Sequence, residues 1–136
     1  MADTLKLEIV TPETKVFSEM VESVILQGVE GQMTILPQHV RLMTRLVPGE
    51  MIVRKGGRDQ FLAVGEGLAD ISSDRVAIAT DMAVAAENID EAKAEEARQR
   101  AAARLREKLS LEEVASVNAS LARSLAQLRV KRRHHV

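Results

Sequence analysis

Glu30-Gly31-Gln32-Met33-Thr34-Ile35-Leu36-Pro37-Gln38-His39-Val40-Arg41-Leu42-Met43-Thr44-Arg45-Leu46-Val47-Pro48-Gly49 is the stretch that decides the fold. Pro37 and Pro48 each lack a backbone donor and clash with a preceding helical turn, so the run is not a helix. Ile35, Leu36, Val40, Leu42, Met43, Leu46 and Val47 make it too apolar for a mobile loop. A buried corner of a small β-structure satisfies both constraints.

The sequence on either side supports β-structure as far as residue 85. Leu5, Leu7 and Ile9 alternate with Lys6 and Glu8, the period of a half-buried strand. Val21–Leu26 is a second candidate strand, ending at Gly28. Met51–Arg54 and Gln60–Val64 flank Lys55-Gly56-Gly57-Arg58, and a Gly-Gly pair tolerates the positive φ of a hairpin turn. Gly65 and Gly67 separate that hairpin from Leu68–Ile71, and Ser73-Asp74 turns the chain into Val76–Ala79. Short strands with frequent turn signals predict a sandwich or barrel.

After Ala86 the pattern changes to helix. Asn88-Ile89-Asp90-Glu91 has an N-cap residue three before a glutamate, and Ser110-Leu111-Glu112-Glu113 repeats the arrangement. Acidic residues open the first helix and Arg104, Arg106 and Lys108 close it, complementing the helix dipole. Its stripe is Ala94, Ala97, Ala101 and Leu105; the second helix offers Val114, Val117, Leu121, Leu125 and Leu128. The short break predicts an antiparallel αα-hairpin. Alanine against leucine buries little area, and at about 25 cal/mol per Å² such a seam holds only marginally. The expectation is a mobile hairpin that leans on a partner surface.

Composition narrows the function. With 136 residues, 46% of them apolar, the chain supports one core or a small domain plus an appendage. There is no cysteine, which removes disulfides and thiolate chemistry. No apolar run approaches the roughly 20 residues of a membrane span. No leader pattern precedes Thr4–Val10, so a cytosolic-side protein is expected. Phe17 and Phe61 are the only aromatic residues, too few for the stacking platforms of single-strand nucleic-acid binders. Net charge is −1, divided as −4 over residues 1–85 and +3 over residues 86–136, which suggests two structural units.

Few residues could carry chemistry. His39 has no serine, cysteine or second histidine in a recognisable motif, and a general base needs an orienting partner. Structural use of His39 in a turn is the preferred reading over a small enzyme centred on it. The carboxylates are scattered, and Gly65-Glu66-Gly67 lacks the Gly-Lys-Ser/Thr of a phosphate loop. His134-His135 after Lys131-Arg132-Arg133 reads as a frayed basic terminus rather than a metal site. Glu96–Arg100 and similar i,i+4 pairs read as a solvated helix face.

In sum, the residues resemble the epsilon subunit family of rotary F-type ATP synthases. Leu7-Glu8-Ile9-Val10-Thr11-Pro12-Glu13 with Val16-Phe17-Ser18 is similar to the family's opening strand pair. Glu30-Gly31 through Ile35-Leu36-Pro37 and His39 is similar to its most recognisable segment, E-G-E-x-G-I-L-P-G-H-x-P-L-L-T. Pro48-Gly49, Phe61, Gly65 and Gly67 follow in register, and Leu121–Val130 closes a helical hairpin. The resemblance implies an α+β chain: an N-terminal flattened β-sandwich, residues 1–86, then a C-terminal antiparallel two-helix hairpin, residues 87–136. It implies a non-catalytic central-stalk subunit that couples proton-driven rotation to ATP synthesis. The β-domain would dock on the gamma subunit and the c-ring through Glu30, Gly31, Gln32, His39 and Arg41. The hairpin would extend towards the catalytic alpha and beta subunits and inhibit hydrolysis. Association with the cytoplasmic face of a bacterial inner membrane would be peripheral.

The chain departs from the family pattern at Gln32, Thr34, Gln38 and Arg41, where acidic, glycine, glycine and proline residues are usual. Some members bind ATP through I/L-D-x-x-R-A. Ile89, Asp90 and Ala94 match it, Lys93 replaces the arginine, and Arg123 matches a second-helix ligand while Gln127 replaces another. Lysine offers a point charge where arginine offers a planar fork, so ATP is expected as a weak regulatory ligand at most, and no other cofactor or metal. The competing expectation is a free-standing adaptor whose hairpin binds a partner helix.

Overall fold

The computed structural model describes residues 3–134. Ten strands precede two helices: β1 (Leu5–Val10), β2 (Lys15–Val21), β3 (Ser23–Gly28), β4 (Gly31–Ile35), β5 (Leu42–Leu46), β6 (Gly49–Lys55), β7 (Arg58–Val64), β8 (Gly67–Ile71), β9 (Arg75–Thr80), β10 (Ala83–Ala85), α1 (Glu91–Arg104) and α2 (Leu111–His134). The α+β class, the sandwich-like β-domain and the two C-terminal helices stand as the sequence predicts.

The sheet runs β10-β7-β6-β3-β5-β8-β9-β1-β2, with β4 paired to β3. It folds over itself into two layers joined by one residue pair, Gly28 with Leu46. All pairings are antiparallel except β1 with β9. Far along the sheet, β2 returns beside β6, where Glu22 N–H donates to the Arg54 carbonyl at 2.7 Å and Lys55 pairs with Glu19. The period-2 residues of each layer point inwards. Leu5, Leu7, Ile9, Val24, Leu26, Met51, Val53, Leu62, Ile71 and Ile78 are essentially fully buried together.

Several expectations change at this level. The candidate strand over Val21–Leu26 is two strands broken at Glu22. The stretch at residues 30–49 is not a buried corner. Ile35, Leu46 and Gly49 are buried, but Leu36, Leu42 and Val47 are exposed, and so are Val40 at 79% and Met43 at 64%. Two short strands, β4 and β5, are cut from this stretch. The connection between them lies outside, with Gln38 in the left-handed region at φ 66°. Glycine stands at that position in the family pattern because a Cβ is disfavoured there.

The first helix begins later than the capping pattern indicates. Asn88 ends a 3-10 turn, Ala86–Asn88, and Asp90 is the N-cap, its carboxylate accepting the Lys93 N–H at 3.1 Å. Ile89 stays extended between the two because it is buried against the sandwich. The second capping box forms as the sequence predicts: Glu113 N–H donates to Ser110 Oγ at 3.2 Å, and Ser110 N–H donates to the Glu113 carboxylate at 3.1 Å.

α2 uses two faces. Val117, Ser124 and Leu128 are buried on the side of α1, whose Ala94 and Ala101 are buried in turn. Leu125 and Leu105 are exposed, so the expected seam shifts by one residue to Ser124, whose hydroxyl donates to the Ser120 carbonyl at 3.0 Å. The other face, Ala126 and Val130, packs on Ala63, Met82, Ala86 and Ile89, flanked by Phe61 and Val84. The partner surface that the hairpin leans on is therefore the outer side of β7 and β10 in the same chain. The helix-surface pair is Glu95 with Arg98, at 2.7 Å, rather than Glu96 with Arg100.

Candidate functional site

Strand register builds one surface that α2 leaves open. Residues pairing across β5, β8, β9 and β1 line up in two rows on the outer side of that layer. One is Met43, Asp70, Ala77 and Glu8; the other is Arg45, Leu68, Ala79 and Val10. Met43, Leu68 and Val10 are exposed, and a shallow cleft of about 290 Å³ lies over Val10, Leu68, Ala77 and Ala79. Asp70 lies within the face, between Met43 and Ala77, and Glu8 and Arg75 also line the cleft. Glu8 pairs with Lys15 at 3.3 Å and with Arg75, and the hydrogen bond from Lys15 and the charge of Arg75 hold its carboxyl below the ordinary glutamate range. An open sheet face that exposes large apolar side chains among charged ones is the anatomy of a protein-docking surface.

The expected interface residues frame this face at two separate ends. Val29 and Glu30 form the β3–β4 turn, Gly31 at φ 123° opens β4, and the Gln32 side chain next to it accepts from Gln27 at 3.2 Å. Val29 N–H donates to the Arg45 carbonyl, which fixes that turn beside the far end of β5. His39 and Arg41 precede the near end of β5, so the two groups lie about 13 Å apart at 3.4 Å per residue. His39 Nδ1 sits 2.7 Å from the Val40 carbonyl oxygen, with no carboxylate or nucleophile bonded to it. It has the environment of a turn histidine, not of a general base. No local motif in the sequence marks Leu68, Met43, Ala79 and Val10 as a surface, although period-2 alternation in Gly67–Ile71 turns Leu68 away from the core.

The hairpin residues do not converge. Ile89 and Ala94 are buried in packing, Asp90 caps α1, and Lys93 is exposed. Arg123 alone of the five lines a cleft of about 480 Å³ between the helices, with Arg100, Arg104, Ser116 and Ser120. Within it Arg123 pairs with Asp81 of the sandwich at 3.0 Å and Arg104 with Glu113 at 3.3 Å. Among the described residues no cluster of histidine, aspartate and glutamate could hold a metal ion.

The C-terminal turn is not frayed through residue 134. Arg132 bonds Glu91 at 2.9 Å, Arg133 reaches Glu50 at 3.4 Å, and the His134 ring stacks on Phe61. His135 lies outside the described residues.

Two family models match the chain. Residues 4–86 match the family model described as ATP synthase, Delta/Epsilon chain, beta-sandwich domain. Residues 87–132 match that of the long alpha-helix domain of the same chains. An ATP synthase epsilon chain of Dehalococcoides mccartyi is 44% identical over 134 residues, covering 96% of each chain. That of Syntrophobacter fumaroxidans is 41% identical over 130 residues, covering 96% of this chain and 97% of its own. Among solved structures, a chain of the Euglena gracilis mitochondrial ATP synthase OSCP/F1/c-ring assembly superposes with TM-score 0.75 at 23% identity, over 95% of this chain and 81% of that one. A chain of the Tetrahymena thermophila central stalk/c-ring assembly gives 0.65 at 10% identity, over 93% and 96%. These structural likenesses show the fold; the family models and the sequence relatives show the family. The chain belongs to the ATP synthase delta/epsilon chain family.

Proposed function

We propose that this chain is a non-catalytic central-stalk subunit of a proton-translocating F-type ATP synthase, coupling c-ring rotation to ATP synthesis. The observation that carries the reading is the open β5-β8-β9-β1 face, with Met43, Leu68 and Val10 exposed on it, in a chain of this family. Its occupant in this reading is the gamma subunit. The Glu30-Gly31-Gln32 turn at one end is offered to the c-ring, and His39 and Arg41 flank gamma at the other. Gln32 in place of an acidic residue removes a charge from the c-ring contact. The chain reaches the cytoplasmic face of a bacterial inner membrane through the complex; among the described residues no helix is long and apolar enough to cross a membrane.

In the same reading the hairpin is the regulatory part. Released from the sandwich, it would extend towards the alpha and beta subunits and inhibit hydrolysis. ATP has a weak place at most, at the Arg100–Arg104–Arg123 cleft, where cations converge. Calorimetric titration of the full chain is expected to give millimolar affinity or none, and micromolar affinity would refute this assignment.

Co-purification with the gamma subunit tests the docking. The parent chain should be retained, and Leu68→Glu or Met43→Glu should weaken retention at least about tenfold by placing an unpaired charge in the interface. Failure of the parent to bind gamma, or full retention of both variants, would overturn it.

A further inference from the structure

The methionines of the described residues divide sharply by exposure. Met51 and Met82 are buried and Met33 packs against the core, whereas Met43 is 64% and Met20 50% exposed. The two exposed thioethers lie in different places. Met20 is on the edge strand β2, opposite Lys6. Met43 is on β5, opposite Asp70 of β8, within the open face that Leu68 and Val10 share. The pattern E-G-E-x-G-I-L-P-G-H-x-P-L-L-T has leucine where Met43 stands, so a similar apolar volume is built here around an oxidisable sulfur.

We propose that Met43 is a redox-modification site, at which two-electron oxidation by a hydroperoxide blocks docking on the β5-β8-β9-β1 face. The inference rests on the docking reading of that face given above. With hydrogen peroxide, a lone pair on the Met43 sulfur attacks one peroxide oxygen. The S–O bond forms as the O–O bond breaks, the proton on the transferred oxygen passes to the departing one, and water leaves. The sulfur is oxidised to the sulfoxide and the peroxide is reduced. Methionine sulfoxide reductases reverse the step.

The product changes what the face can accept. A flexible apolar side chain becomes polar and chiral. Once covered, the new oxygen needs a donor, and burying it without one costs affinity. Asp70, the residue opposite, offers only acceptors when ionised. A docked partner also shields Met43 from the oxidant. The modification therefore acts on the undocked chain and prevents assembly, rather than stripping a complex already formed.

The full chain, treated with hydrogen peroxide and quenched with catalase, tests this. Peptide mass spectrometry should find Met43 and Met20 modified ahead of Met33, Met51 and Met82. Retention on the gamma subunit is then compared with each chain's own untreated sample. It should fall about tenfold in the parent and in Met20→Leu, should not fall in Met43→Leu, and should return after reductases of both epimer specificities. Bound gamma should slow modification of Met43. Equal retention of parent chain before and after full oxidation of Met43, a loss that persists in Met43→Leu, or modification of Met43 at the same rate with gamma bound would each overturn the proposal. Failure of the untreated parent to bind gamma is a separate result, which would overturn the docking reading and the redox block with it.

Discussion

Gly67→Ala should be the most damaging methyl that can be added to this chain. A Cβ built at Gly67 falls 2.0 Å from the Ala79 carbonyl oxygen and 2.9 Å from the Thr80 Cα, both backbone atoms of β9. β9 cannot swing aside, because it pairs with β8 on one side and β1 on the other. β8 cannot retreat freely either, since Gly67 also pairs with Leu46, the residue that joins the two layers at Gly28. Backbone must therefore move by roughly 1 Å within four strands, an overpacking cost of about 3 kcal/mol, against which the lost flexibility of glycine returns about 0.5–1 kcal/mol. For a chain of this size a net loss of about 2–3 kcal/mol lowers the melting temperature by about 10 °C. Gly65→Ala is the contrast. Its Cβ would fall 1.8 Å from Asp81 Oδ1, the tip of a side chain that can rotate at the expense of its pair with Arg123. It should barely shift the melting temperature but should speed amide exchange in α2 around residues 121–129. Circular-dichroism melts of both variants check this. A Gly67→Ala melting temperature within about 2 °C of the parent, or equal damage from the two variants, would refute the reasoning.

Gln38→Gly should stabilise by about 0.5–1 kcal/mol, because it relieves a side chain at φ 66° at a modest entropic cost; a denaturant midpoint unchanged or lowered would contradict this. Ser110→Ala should cost about 1 kcal/mol through loss of the α2 cap, read as a lower urea midpoint with an unchanged slope. The hydrogen bond from Arg98, then the charges of Arg98 and Arg132, lower the Glu95 carboxyl to about 2. Its contribution to stability is therefore complete above the ordinary glutamate range and is lost as pH falls towards 2. Carboxyl NMR should find its midpoint well below the ordinary glutamate range, and Arg98→Gln should raise it.

What could be read from the sequence follows from how local each cause is. Leu5-Lys6-Leu7-Glu8-Ile9 and the Gly56-Gly57 hairpin carry their own signals, and both formed as expected. The Ser110–Glu113 box is equally local. Asn88 carries the local cap pattern, but the deciding term is tertiary: burial of Ile89 keeps the chain extended past Asn88 and hands the role to Asp90. The seam on α2 shifted for a similar reason, since that helix serves α1 and the sandwich at once and no single stripe describes it. At residues 30–49, the apolar side chains that suggested burial are mostly on the outside. Hydrophobicity alone does not distinguish a core from a docking face. The open face itself depends on strands distant in sequence coming into register, which no local pattern encodes.

The parallel pairing of β1 with β9 has a consequence for synthesis. Leu7 waits for Val76, so the first strand leaves the ribosome long before its central neighbour exists. Pairing across such a separation is slow relative to local hairpins. The antiparallel β1–β2 ribbon must survive in the interval with Leu5, Leu7 and Ile9 unshielded, which makes the nascent chain, rather than the finished protein, the stage most open to aggregation or chaperone capture.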